Sequence, residues 1–368
     1  MKITTTHNDL LERLQTVARV ASTRSAIQAL SGVQISAGPE GVELRATDME
    51  IGLRTPLAAE VERPGEVVLP ARLLLEIVRR LGGAAVELEL RPEHQDVEIV
   101  SGTARFQVRT LRAEDFPLLP STDGEHTVAM PAQAFTETIN RVSRSASRDE
   151  TRPILTGVLV SVDGPSLRMV ATDSYRLSVK QTQLETAIAN GFEANVPARA
   201  LEELGRLVTT GTETITIGVT ANQVIFHIGN VVLSSRLIDG QFPNHSQLIP
   251  EAFDHELTVE TTEILEVVER ISLMAQKNAP LRLSFTPGEL RVSAQTPDVG
   301  EASDVLPIPF TGEPFEIGFN AEFLTAGLQS AGSPQVILKL ISPLRPGLIE
   351  SADGSGFLYL IMPIRLNV

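Results

Sequence analysis

The chain has no cysteine, and its six histidines, His7, His94, His126, His227, His245 and His255, stand singly. Disulfides, thiolate metal sites and cysteine nucleophiles are excluded, and no His-Glu-x-x-His or related spacing offers a metal-ligand set. Two carboxylates recur in matching contexts, Asp48 in Ala46-Thr47-Asp48 and Asp173 in Ala171-Thr172-Asp173. Side by side they would make a general acid and base. Equivalent positions of two repeats are held far apart, however, and each Asp is expected to cap a turn before the following strand. Gly354-Ser355-Gly356 lies between strands with no helix after it, so it reads as a hairpin turn and not a phosphate cradle. The remaining chemistry is that of arginine: Arg13, Arg19, Arg72, Arg79, Arg80, Arg141, Arg144, Arg148, Arg199 and Arg206 fall on or beside expected helices. Such a pattern suits phosphate contacts, and it equally suits a solvated face. The formal charge of −15 means that any nucleic-acid surface must be a local basic wall on an acidic body.

The elements that carry these residues repeat three times in 368 residues. Amphipathic helices are predicted over roughly residues 8 to 21, 132 to 147 and 262 to 276, the second with Phe135, Ile139, Val142 and Ala146 on one stripe, the third with Ile264, Leu265, Val268 and Ile271. Asn8 and Asp9 are the candidate caps or first-turn acids of the first and Thr262 and Glu263 of the third, while the second starts at Met130-Pro131. Strand-turn-strand segments follow at 31–54, 156–179 and 281–304, the third reading Ala294-Gln295-Thr296 in place of Ala-Thr-Asp. A second helix then opens at Pro70-Ala71-Arg72, Pro197-Ala198-Arg199 and Asn320-Ala321-Glu322. Each copy therefore reads helix, hairpins, helix, hairpins: an α+β chain with copies at 1–122, 123–252 and 253–368.

Two helices on one face of an antiparallel sheet leave that sheet with open edges, an aggregation hazard unless they are paired. Joining copies edge to edge removes the inner ones, and two chains meeting head to tail twice satisfy the rest. The expected assembly is a six-unit ring whose hole is lined by helices about 18 Å long. The start of the chain has no uninterrupted apolar core of signal-peptide length and no later stretch approaches a membrane span, so a cytoplasmic protein is expected.

Along its full length the sequence resembles the beta subunit of bacterial DNA polymerase III, the sliding clamp family. The marks are Ala171 to Leu177, Asp239-Gly240-Gln241-Phe242-Pro243, Gly318-Phe319-Asn320 and Tyr359 to Leu366. The resemblance implies a non-catalytic homodimeric ring around double-stranded DNA, without sequence preference and without a cofactor. It implies as partners the polymerase III alpha subunit, the clamp loader complex, other polymerases and repair proteins that share a peptide motif. The implied peptide pocket comprises Leu155, Thr172, Ser174, Tyr175, Arg176, Leu177, Pro243 and Leu248. It continues through Asn320, Phe323 and Leu344 to Leu360, Ile361, Met362, Pro363, Ile364, Arg365 and Leu366. Met suits a pocket that accepts many partners. Implied DNA contacts are Arg24, Arg72, Arg79, Arg152 and Arg199; the implied dimer contacts are Arg105, Phe106 and Val108 against Ile271, Leu273, Glu301 and Asp304. Ser174-Tyr175, Gln247, Asp149 and Pro153 depart from residues common in the family.

Overall fold

The structure is a computed structural model describing residues 1–22, 25–119, 127–275, 279–297 and 299–366. It divides into two compact units, Met1–Ala132 with Arg206–Leu237, and Gln133–Gly205 with Ile238–Val368. The first unit holds a five-stranded and an eight-stranded sheet, the second a six-stranded and a four-stranded sheet, and every strand pair is antiparallel. The central copy is shared between them.

Six helices are α1 (His7–Val17), α2 (Ala71–Arg80), α3 (Ala132–Val142), α4 (Ala198–Leu207), α5 (Thr261–Ser272) and α6 (Ala321–Ala331). They pack as α1 on α2 and α5 on α6. Each buries one stripe, such as Ala71, Leu74, Ile77 and Val78 of α2, because apolar residues at helical spacing fall on one side. The first helix of each copy is shorter than its periodicity predicts. Behind α3 the chain tightens into a 3-10 turn at Ser143–Ser145, which leaves the predicted stripe residue Ala146 beyond the helix and only partly buried. Asp9 and Glu263 are first-turn acids, as expected, but neither is the cap. Thr6 caps α1, its Oγ1 accepting from Asp9 N at 3.2 Å while donating to Asp9 Oδ2, and Glu260 precedes α5 without a side-chain cap.

An element unpredicted from the sequence opens every copy: strands Lys2–Thr6, Thr127–Pro131 and His255–Glu260 run directly into the first helices. Pro131 therefore ends a strand and is not a first helical residue.

Copies are joined by strand pairing. Strand Ile51–Leu57 of the first pairs with Val231–Arg236, the last strand of the second. Strand Arg176–Pro197 of the second pairs with Phe357–Ile361, the last strand of the third. Strands Ala104–Arg109 and Gly300–Pro307 each lie at the edge of their sheet. The expected edge-to-edge joining is thus present inside each unit.

Candidate functional site

The junction of the second and third copies carries an open cleft of about 470 Å³ in the second unit. Its backbone frame is set by Thr172 to Arg176. Asp173 Oδ1 accepts from the amides of Tyr175 and Arg176 at 2.9 and 3.0 Å, and Thr172 Oγ1 donates to Arg176 O at 2.7 Å. Ser174 takes a left-handed conformation, φ 79°, and donates its amide to Thr172 Oγ1. The Asp thus caps the turn, as its sequence context predicts. The paired strands then place Leu177 opposite Leu360, and Met362 N donates to Tyr175 O at 2.9 Å, fixing the Met362 side chain at the mouth.

Arg176 is the charged centre of this wall. Its Nε donates to Asp173 Oδ2 at 3.0 Å, its Nη2 to Arg144 O at 2.6 Å, and its guanidinium lies 4.4 Å from the centroid of Phe323. With the pair only 10% and 13% exposed, losing either member would strand a charge in a poorly solvated place. Phe323 is itself held from behind. Asn320 Oδ1 caps α6 by accepting from Phe323 N at 3.1 Å, and Tyr359 Oη donates to Phe323 O at 2.8 Å. Burial pushes the Tyr359 phenol up to about 12, so it remains a donor throughout the ordinary pH range.

Of the predicted pocket residues, Thr172, Ser174, Tyr175, Arg176, Leu177, Leu248, Leu344, Leu360 and Met362 line the cleft. Tyr175, Leu248, Leu344 and Met362 are exposed apolar side chains around one concavity. Such a patch marks a binding surface. Asn320, Phe323 and Leu155 do not line it. The first two support Arg176, and Leu155 is buried with its carbonyl accepting from Ser147 N at 2.8 Å. Pro243 is off the wall and Ile361 faces the core of the third copy. Pro363, Ile364, Arg365 and Leu366 leave the cleft along the edge strand Phe315–Asn320, where Ile364 N donates to Gly318 O. Gly318 is needed there, since a Cβ would stand 2.7 Å from Leu366 Cδ2.

Pro250, Arg345 and Pro346 line the cleft and were not predicted; Gln247, singled out only as a family departure, joins them. The available signal was Pro343-Leu344-Arg345-Pro346, an apolar residue held between prolines in a loop. His245 precedes this turn, its main-chain oxygen accepting from Leu248 N at 3.1 Å. Its Nε2 lies 2.9 Å from Arg168 Nη2, and burial, aided by that guanidinium, lowers its pKa.

Three models of the DNA polymerase III beta subunit match in order: N-terminal domain on residues 1–120, central domain on 129–244 and C-terminal domain on 246–365. The beta sliding clamp of Synechococcus elongatus is 34% identical over the whole of both chains. The chain belongs to the beta sliding clamp family. The crystal structure of the Bacillus subtilis sliding clamp superposes with a TM-score of 0.93 at 31% identity over the whole of both chains. A Pseudomonas aeruginosa clamp solved bound to griselimycin superposes at 0.90, with 29% identity and full coverage of both.

The other residues predicted from the clamp resemblance are dispersed. Arg72, Arg79 and Arg199 are exposed on α2 and α4, Arg79 beside Glu76 at 2.9 Å, while Arg24 lies outside the described residues. Arg152 is held at the cleft rim, with Nε to Asp149 Oδ2 and Nη1 to Ser174 Oγ, both 3.0 Å. The two sequence departures, Asp149 and Ser174, thereby meet through one arginine. Arg141, read as a possible wall charge, instead donates to the terminal carbonyls of α6 and pairs with Glu137.

Among the predicted dimer contacts, Phe106 and Leu273 are exposed, at 38% and 84%. Val108 and Ile271 are not available to a partner, being buried at 3% each. Val108 lies on the same strand face as Phe106, opposite the buried Val97, and is covered by its own copy, while Ile271 lies on the core stripe of α5. Arg105 lies 3.6 Å from Glu98, Asp304 pairs with Arg270 and Glu301 is exposed.

Among the described residues no cluster of His, Asp or Glu is placed to hold a metal ion, and no helix is long and apolar enough to cross a membrane.

Proposed function

We propose that two copies of this chain close head to tail into a six-unit ring around duplex DNA. The ring tethers the replicative polymerase and catalyses nothing itself. One observation carries this reading. Both junctions within the chain pair the strand after a copy's hairpin turn with the last strand of the next copy. The same rule leaves Gly300–Pro307 of the third copy and Ala104–Arg109 of the first, both at sheet edges. Pairing these between two chains, twice, repeats the junction and removes the open edges.

Phe106 supports the same closure. Counting from the hairpin that precedes each last strand, Phe106 is the third strand residue, as are Leu233 and Tyr359. Leu233 and Tyr359 are 0% and 1% exposed, whereas Phe106 is 38% exposed. It has the position of a junction core residue without its junction. Arg105 opposite Glu301 and Asp304 would favour head-to-tail register more than it would add stability, and Leu273 would be covered by the partner.

The cleft at the second junction is the docking site for a short linear peptide. Such a peptide would be carried by the polymerase III alpha subunit, the clamp loader complex and other polymerases or repair proteins. Leu177, Leu360 and Met362 receive its apolar anchors, and Arg176 and the exposed Tyr175 set its orientation. The griselimycin-bound relative supports a ligand site in this family. Arg72, Arg79 and Arg199 would supply weak phosphate contacts suited to sliding in the cytoplasm, and the family resemblance assigns Arg24 the same role. Arg152, tied to Asp149 and Ser174, joins them only by leaving those partners.

A nicked circular plasmid tests this reading. Loaded with a clamp loader and ATP, the protein should stay on the circle and leave when the circle is linearised. Equal, salt-sensitive retention on short linear duplexes would contradict encirclement.

A further inference from the structure

The first junction repeats the second atom by atom along its backbone. Asp48 Oδ1 accepts from the amides of Glu50 and Ile51 at 3.0 and 2.8 Å, and Thr47 Oγ1 donates to Ile51 O at 2.8 Å. Met49 has φ 80° where Ser174 has 79°. Arg236 N donates to Glu50 O at 3.0 Å, as Met362 N donates to Tyr175 O at 2.9 Å. Ser234 faces Gly52 as Leu360 faces Leu177.

A cleft is present here too, but its volume is about 160 Å³ against about 470 Å³. The difference lies in its floor. Gly52 and Ser234 replace Leu177 and Leu360, and the vacated space is taken by the chain itself. A Cβ built on Gly52 would stand 2.8 Å from Leu119 Cδ2. Leu119 follows Phe116-Pro117 just as the Gln247–Leu248 wall of the second cleft follows Phe242-Pro243, and its neighbour Leu118 is 97% exposed. Glycine at position 52 is what lets a leucine side chain lie flat on the strand.

We propose that the first junction is a second peptide cleft that the chain keeps closed with its own Pro117–Leu119, Leu119 occupying the place of a partner's anchor. The inference rests on the reading of the second cleft as a peptide site. It identifies the occupant as a leucine-anchored segment. The rim carries Glu50 and Arg236 where the second has Tyr175 and Met362, so acidic flanks on the peptide suit Arg236. One chain therefore offers one open peptide cleft, although it contains the backbone of two.

Each cleft has its own reporter, Met49 at the first and Met362 at the second. With ¹³C-methyl methionine in the full-length protein, the probe is an acetylated, amidated peptide of residues 114–119. In Leu119→Ser the Met49 signal should shift at a peptide concentration at least about tenfold below that needed in the unmodified protein. Equal Met49 responses in both proteins would show that Leu119 closes nothing. No Met49 response in Leu119→Ser or in the milder Leu119→Ala would show that the cleft takes no peptide. Met130, 2% exposed in the same unit, must keep its signal position if the variants are folded. A Met362 silent to a polymerase-derived peptide, beside a Met49 that responds to the 114–119 peptide, would count against the second-cleft reading and leave the closure of the first cleft standing.

Discussion

The two junctions share a turn, a register and a strand pairing, yet one presents an open apolar wall and the other fills itself. What they share is backbone hydrogen bonding and the two side chains, Thr and Asp, that satisfy it. What differs is a handful of side chains: Gly52 for Leu177, Ile51 for Arg176, Ser234 for Leu360 and Arg236 for Met362. Main-chain chemistry builds a junction, and side chains decide whether it has a use beyond joining.

The largest expected effect separates the two aspartates. Asp173→Ala removes two backbone bonds and abandons the enclosed Arg176, and should cost about 3–5 kcal/mol in denaturant unfolding. Asp48→Ala removes the same two amide bonds beside Ile51, with no enclosed Arg176 to abandon, and should cost less. Equal losses would remove Arg176 as the distinguishing feature.

Next comes binding. Arg176→Ala should weaken a polymerase-derived peptide by about tenfold or more by calorimetry, whereas Ile51→Ala should leave that affinity unchanged. Deleting residues 362–368 should abolish peptide binding and leave the dimer intact, because it removes Met362 and the segment along Gly318 while the edges at 104–109 and 300–307 remain.

The pH dependence should also be one-sided. His245 has a lowered pKa in the folded chain, so the folded state resists the proton that the unfolded state accepts. Its contribution is intact above the ordinary imidazole value of about 6.5 and is lost as pH falls through the lowered folded value. His245→Gln should flatten this acid-side loss of stability. Thermal scans of both proteins between pH 5 and 7 check it.

The smallest difference concerns the left-handed residues. Met49→Gly should stabilise by about 0.5 kcal/mol through relief of its positive φ. Ser174→Gly should gain less, since Ser174 Oγ accepts from Arg152.

Much of this was legible in the sequence. The threefold repeat follows from apolar stripes and hairpin clusters, and the Asp48 and Asp173 turns from their residue types. Nine residues named from the family resemblance line one cleft. The opening strands were hidden because Lys2–Thr6 is a short run of threonines around one buried isoleucine, Ile3. Val108 was misread because it shares a strand face with the exposed Phe106, and alternation does not say how far along that face the copy's own core reaches; Ile271 was misread because it belongs to the apolar stripe that α5 turns inward. Arg141 looked like a wall charge because nothing local shows that the carbonyls ending α6, nearly two hundred residues later, need a donor. The self-filled cleft was invisible for a related reason: it depends on Leu119 meeting Gly52 across the fold.

The closing claim is that a third junction of the same kind forms between chains. Sedimentation velocity of the unmodified protein and of Phe106→Asp tests it most directly. The account predicts twice the 39.8 kDa chain mass at micromolar concentration for the first and a folded single chain for the second. A monomeric unmodified protein, or an unchanged dimer in Phe106→Asp, would contradict it.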